Sequence, residues 1–180
     1  MSLNSQTAPD ESASPTIRSI VLVGLMGAGK TAIGKRLSVL LKLPFFDADE
    51  EIERAAGMTI SEIFKTHGEA YFRAGEKRVI KRLLSQGRIV LATGGGAFMD
   101  AETRATIREY AVSVWLRCPI PVLVQRTSGR THRPLLNAGN PADILSKLSA
   151  VRSPVYALAD IIVDGSEDLS LIHISEPTRP

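Results

Sequence analysis

The run Gly24-Leu25-Met26-Gly27-Ala28-Gly29-Lys30-Thr31 carries the spacing G-x-x-x-x-G-K-[ST]. In that arrangement backbone N–H groups wrap phosphate oxygens, the lysine reaches the β- and γ-phosphates, and the hydroxyl ligates Mg²⁺. The glycines let the amides turn inward, and a helix starting at the loop adds the positive end of its dipole. Ser19–Val23 reads as a short buried strand, and Ile33, Leu37, Leu40 and Leu41 follow at helical spacing. A strand before and a helix after set a working phosphate loop apart from a chance glycine-rich turn. Gly27, Ala28, Gly29, Lys30, Thr31 and Ala32 are the nucleotide-binding candidates, Lys30 being also a catalytic candidate and Thr31 a metal ligand. The chain is expected to bind a nucleoside triphosphate.

Two carboxylates come next, Asp47 and Asp49. In an extended segment residues two apart face the same way, so both can enter one cleft. Asp47 suits the Mg²⁺ shell, and Asp49 suits an acceptor hydroxyl, which a carboxylate can orient and deprotonate. The plainer alternative for either is a cap for the helix that follows. Arg73 and Glu76, three apart, share one helix face. They form either a weak surface ion pair or a buttressed guanidinium that can grip a carboxylate with two parallel bonds.

These residues need a frame to hold them. Strands are expected at Ile20–Val23, Pro44–Asp47, Arg88–Ala92, Val112–Leu116 and Ile161–Val163. Helical patterns fall at about 30–42, 50–56, 60–66, 68–85, 100–109, 119–126 and 141–158. Alternation of this kind builds an α/β fold, a parallel sheet of five strands covered by helices on both faces. Such sheets bind ligands at the carboxyl ends of their strands. The phosphate loop, Asp47-Ala48-Asp49 and Thr93-Gly94-Gly95-Gly96 all follow strands there. Residues 127–140 hold Arg130 and Arg133 in a long loop, and a loop of that length suits a mobile lid over the triphosphate.

The 180 residues, 44% of them hydrophobic, suit one domain with a proper core. Lysine and arginine outnumber the acids by 22 to 19, and no basic run of five or more occurs. The pI is about 9.2, yet the arginines are interspersed with apolar residues, as suits pocket guanidiniums gripping small anions. A nucleic-acid partner is not expected. Cys118 is the single cysteine, so no internal disulfide can form, and a reducing compartment fits. The three histidines lack metal-ligand spacing, and no apolar run approaches bilayer length. Residues 1–17 read as a disordered leader without signal-peptide character, so the cytoplasm is the expected location.

The motifs in register resemble the shikimate kinase family. They are the phosphate loop, Phe46-Asp47-Ala48-Asp49 with Glu51-Ile52-Glu53, Gly68-Glu69-x-x-Phe72-Arg73-x-x-Glu76, Gly94-Gly95-Gly96, Arg133-Pro134-Leu135-Leu136 and Arg152-x-x-x-Tyr156. The resemblance runs from about Ile20 to Asp164. It implies a P-loop, nucleoside-monophosphate-kinase-like fold of three layers with strand order 2-3-1-4-5. It also implies transfer of the ATP γ-phosphoryl group to the 3-hydroxyl of shikimate, with Mg²⁺ as cofactor. By that resemblance Asp49 holds the shikimate hydroxyls, Arg73 and Arg152 clamp its carboxylate, and Gly94, Gly95 and Gly96 approach it with backbone. Asp47 stands near Mg²⁺, Arg133 reaches the phosphates from the lid, and Arg126 lies near the adenine. A monomer is expected. A kinase of another hydroxy-acid such as gluconate, a nucleoside-monophosphate kinase and a silent nucleotide-binding regulator are the rival readings. Arg73, Arg152 and Asp49 describe a hydroxy-acid better than a base, and the intact Lys30, Thr31, Asp49 and Arg133 argue against silence.

After the fifth strand the family continues into a C-terminal helix, whereas this chain reads Leu169-Ser-Leu-Ile-His-Ile-Ser-Glu-Pro-Thr-Arg179. That string looks like the translation of a transposase-adapter sequence. The expectation is a single domain over 18–168 and a non-native tail over 169–180.

Overall fold

The structure, a computed structural model, describes residues 18–128, 139–165 and 172–175. Val21, Leu22 and Val23 are all buried at 1% exposure or less, so consecutive side chains on opposite faces of one strand are both covered. That is the signature of a parallel sheet with helices on either side. This strand, β1 (Ser19–Val23), sits at the centre, between β3 (Val90–Ala92) and β4 (Ala111–Arg117), with both pairings parallel. Outside them lie β2 (Phe45–Asp47), paired with β3, and β5 (Ile161–Gly165), paired with β4. The parallel part thus has the order 2-3-1-4-5, as expected.

One strand departs from expectation. Ile172–Ser175, in the segment set aside as a tail, forms β6 and pairs antiparallel with β5, Val163 opposite Ile174. Its isoleucines at alternate positions suit a strand, and it occupies an edge that would otherwise stay open.

The helices are α1 (Lys30–Leu41), α2 (Ala48–Ala56), α3 (Ile60–Ser85), α4 (Ala101–Tyr110), α5 (Ile120–Thr127) and α6 (Pro141–Tyr156). The two expected helices at 60–66 and 68–85 are the two halves of α3, which breaks at Gly68, where the backbone is non-helical. Gly68 stands at φ 81° and ψ 175°, a conformation open in practice only to glycine. The helix begins with a capping box. Thr59 Oγ1 accepts from the Glu62 amide, and Glu62 Oε2 accepts from the Thr59 amide. Its C-terminal part buries Phe72, Glu76, Val79, Ile80, Leu83 and Leu84 in the core, which fixes where Arg73 emerges. No helix among the described residues is long and apolar enough to cross a membrane.

Candidate active site

The phosphate loop turns through Gly24, Gly27 and Gly29, all at positive φ. A Cβ on Gly24 would lie 2.7 Å from the Leu116 carbonyl oxygen, so the loop is seated directly on the end of β4. Gly29 caps α1 in the left-handed conformation, and the first turn of a helix presents amides without intrahelical acceptors. Thr31 and Ala32 lie in that first turn. Lys30 folds back over the loop, its Nζ donating to the carbonyls of Gly24 at 2.7 Å and Leu25 at 2.9 Å. The lysine is thus held at the phosphate loop itself.

Thr31 Oγ1 donates to Asp47 Oδ2 at 2.8 Å, which brings the two expected metal ligands together. Both are hard oxygen donors, the kind Mg²⁺ prefers. No cluster of three or more His, Cys, Asp or Glu able to hold a metal occurs among the described residues. Two protein oxygens fit an ion that keeps waters and draws its remaining ligands from phosphates.

The pairing of Asp47 with Asp49 differs from the expected extended segment. Asp47 ends β2 and caps α2, its Oδ1 accepting from the Asp49 amide at 3.1 Å. Asp49 therefore belongs to the first turn of a helix and not to an extended segment. A Cβ on Gly94 would stand 2.9 Å from Asp49 Oδ1. Asp47 thus caps α2 and meets Thr31 of the phosphate loop with the same carboxylate.

The three glycines after β3 are each faced by a charged side chain. Gly94 meets Asp49 and Glu76, a Cβ on Gly95 would lie 3.1 Å from Arg152 Nη1, and one on Gly96 would lie 2.6 Å from Arg73 Nη2. The glycines are needed because any side chain there would displace these groups. Arg73 and Glu76 are the buttressed pair and not a surface one. Arg73 Nη1 donates to Glu76 Oε2 at 2.7 Å, and Glu76 is 2% exposed. Burial pushes the Glu76 carboxyl above the ordinary glutamate range, while the Arg73 guanidinium works against that shift. Glu69 holds the other edge of Arg73 at 3.3 Å. Asp49, Arg73 and Arg152, from α2, α3 and α6, thus converge on one backbone turn.

On the far side of the phosphate loop Arg126 Nη1 lies 3.8 Å from Cys118 Sγ, which in turn lies 3.8 Å from the Ala28 carbonyl. This places Arg126 beside the loop that Gly27, Ala28 and Gly29 form. Burial raises the Cys118 thiol above its ordinary range, and Arg126 opposes it. Arg130, Arg133 and most of the expected lid lie outside the described residues.

Two residues quoted in the motifs without a role of their own prove to brace the glycine turn. Tyr156, 1% exposed, donates its hydroxyl to the Gly95 carbonyl and so pins the glycine turn to α6. Its spacing of four from Arg152 places both on one helix face, which was the available signal. Thr93 Oγ1 donates to the Leu22 carbonyl at 3.0 Å and ties the same turn to β1. A lone threonine after a strand carries no such signal.

This geometry has close counterparts. The family model described as shikimate kinase matches residues 26–176. The shikimate kinase of Bradyrhizobium diazoefficiens is 57% identical over 146 residues, covering 81% of this chain and 70% of that protein. That of Caulobacter vibrioides is 49% identical over 165 residues, covering 92% and 82%. Among solved structures, shikimate kinase from Acinetobacter baumannii in complex with shikimate is 40% identical with a TM-score of 0.82. The match covers 86% of this chain and 87% of that one. A gluconokinase from Sinorhizobium meliloti, 19% identical with a TM-score of 0.55, shares the fold alone. With the family model matching most of its length and relatives this similar, the chain belongs to the shikimate kinase family.

Proposed function

We propose that this chain transfers the γ-phosphoryl group of ATP to the 3-hydroxyl of shikimate, yielding shikimate 3-phosphate and ADP in aromatic amino-acid biosynthesis. The observation that carries the reading is the convergence of Asp49, Arg73 and Arg152 on Gly94–Gly96, beside the phosphate loop. Shikimate is a polyol bearing one carboxylate. Two guanidiniums match that carboxylate through parallel hydrogen bonds, and one acid matches the hydroxyls.

Phosphoryl transfer asks the protein mainly for positioning and charge neutralisation. Gly27, Ala28, Gly29, Thr31 and Ala32 hold the phosphates through backbone amides, and Arg126 flanks the base. Lys30 exchanges its loop carbonyls for phosphate oxygens. Arg73 and Arg152 fix the acceptor's orientation through its carboxylate. Asp49 then holds the reacting hydroxyl and accepts its proton as transfer proceeds. Arg133 completes the phosphate cradle from the lid. Thr31 and Asp47 would hold Mg²⁺, which when bound neutralises phosphate charge. The same reading makes the protein a cytoplasmic monomer with neither nucleic-acid nor membrane partners.

The test is ADP release from Mg·ATP with shikimate, quinate or gluconate as acceptor. Stimulation by shikimate well above the other two is expected. Equal or greater stimulation by gluconate would move the acceptor assignment, and ATP binding without turnover on any of them would favour a silent nucleotide-binding module.

A further inference from the structure

The inner part of the acceptor cluster contains two acids, Asp49 and Glu76, and two guanidiniums, Arg73 and Arg152, while the largely exposed Glu69 holds the outer edge of Arg73 where water screens it. The four inner formal charges balance. An acceptor carboxylate entering the arginine clamp brings a third negative charge into a site where Glu76 is 2% exposed. Water cannot screen that excess as it would on the surface. Something must take up a positive charge.

The geometry shows where. Glu76 Oε2 accepts from Arg73, whereas Glu76 Oε1 is buried without a hydrogen-bond partner among the described residues. Oε1 faces the glycine turn, 3.0 Å from the point where a Cβ on Gly94 would sit. Asp49 Oδ1 lies 2.9 Å from the same point. A buried carboxylate oxygen with no donor is costly, and more so with a second carboxylate near it.

We propose that Glu76 is a positioning residue that takes up one solvent proton at Oε1 when the acceptor carboxylate engages Arg73 and Arg152, so that acceptor binding and protonation of Glu76 are one linked event. Neutral Glu76 keeps Oε2 as the acceptor that aims Arg73. Its new O–H points toward the Asp49 side of the turn, where the acceptor hydroxyl is held. The inference rests on the shikimate reading above, because it needs an acceptor with a carboxylate.

The groups facing Glu76 act in the required direction. Arg73 on its own helix and Arg152 from α6 favour the ionised form, while Asp49 from α2 and burial oppose it. Tyr156 of α6 also lies within electrostatic reach, and its neutral phenol changes no charge in the balance. Turning both guanidiniums toward a second carboxylate weakens their hold on Glu76, while the two opposing influences remain. Protonation follows from that loss.

Calorimetric titration of the full chain with shikimate, in buffers of differing ionisation enthalpy, reads the proton directly. Binding heat should vary with buffer in the sense of uptake. Affinity should fall as pH rises, by up to about tenfold per pH unit. Glu76→Gln, which mimics the neutral carboxyl, should bind with buffer-independent heat and an affinity flat with pH, close to that of the unaltered chain at low pH. Binding by the unaltered chain with buffer-independent heat and pH-flat affinity would overturn the proposal while leaving the shikimate reading intact. Proton uptake persisting in Glu76→Gln would overturn it by assigning the proton elsewhere. Absence of shikimate binding at every pH would instead bring down the functional reading, and this proposal with it.

Discussion

Thr31 Oγ1 donates to Asp47 Oδ2 at 2.8 Å, joining the first turn of α1 to the last residue of β2. The other oxygen of the same carboxylate accepts from the Asp49 amide and starts α2. One side chain therefore ties the phosphate loop to the helix that carries Asp49. The spacing between the phosphate loop and Asp49 is therefore set by β-strand backbone and by this carboxylate.

Asp47→Asn separates the two duties. An asparagine still caps the helix through its one carbonyl oxygen and turns its NH2 group toward Thr31, whose hydroxyl can rotate to accept, so unfolding free energy should change by less than about 0.5 kcal/mol. Its missing charge should raise the Mg²⁺ concentration for half-maximal rate by about 10- to 100-fold. Asp47→Ala loses both duties and should cost about 1 kcal/mol of stability as well. Mg²⁺ titrations of rate beside urea unfolding of both variants decide the matter; an unchanged Mg²⁺ requirement in Asp47→Asn would remove Asp47 from the metal site.

Gly96→Ala tests the clamp without touching either arginine. The added Cβ would sit 2.6 Å from Arg73 Nη2 and 2.7 Å from Nη1. Arg73 must move, and because it is the far end of a flexible side chain, the fold should tolerate the shift. Loss of a charge-assisted bond of about 1.5–3 kcal/mol predicts a 10- to 100-fold rise in shikimate KM with ATP KM nearly unchanged. Steady-state kinetics with each substrate varied in turn gives both values. Equal rises in the two would point to general distortion of the turn.

Much of this was legible in the sequence, and the exceptions have physical causes. The phosphate loop, the five parallel strands and the glycine turn announce themselves locally, through spacing and composition. The relation of Arg73 to Glu76 does not, because an i, i+3 pair looks the same whether the acid faces solvent or the core. Only the packing of Phe72, Val79 and Ile80 on the sheet settles that Glu76 points inward. For Asp47 and Asp49 the extended-segment argument does not apply, because α2 begins at Ala48, between them. The strand at Ile172–Ser175 is not legible locally, because what makes it a strand is its antiparallel pairing with the edge strand β5.

Gly68 and Gly75 make a matched pair in α3, since a Cβ at either meets nothing within 4 Å. They differ only in backbone. Gly68 lies at positive φ in a region few side chains tolerate, so Gly68→Ala should destabilise by about 1–3 kcal/mol. Gly75 lies in the regular helix, so Gly75→Ala should stabilise by about 0.5–1 kcal/mol. Urea unfolding midpoints of opposite sign are the expected result. A neutral Gly68→Ala would mean that the kink can relax into continuous helix.

Arg73→Leu removes the donor that faces Glu76 Oε2 and leaves the carboxyl buried. Breaking a buried pair costs about 3–5 kcal/mol, and the partial exposure of Arg73 brings the expectation to about 2–3 kcal/mol near neutral pH. The loss should depend on pH, with a definite sign. The Glu76 carboxyl already stands above its ordinary value through burial, and losing the guanidinium moves it further in that direction. A raised carboxyl means the folded state binds more protons than the unfolded chain, so stability falls as pH rises. The contribution is fully retained below the unfolded glutamate value and lost as pH climbs through the raised folded one. Arg73→Leu should therefore be only mildly destabilised in acid and increasingly so toward alkaline pH, relative to the unaltered chain. Combining it with Glu76→Gln should flatten that difference. Unfolding free energies of the single and double variants across the pH range test this, and a destabilisation constant with pH would show that the leucine acts through packing and not through the stranded charge.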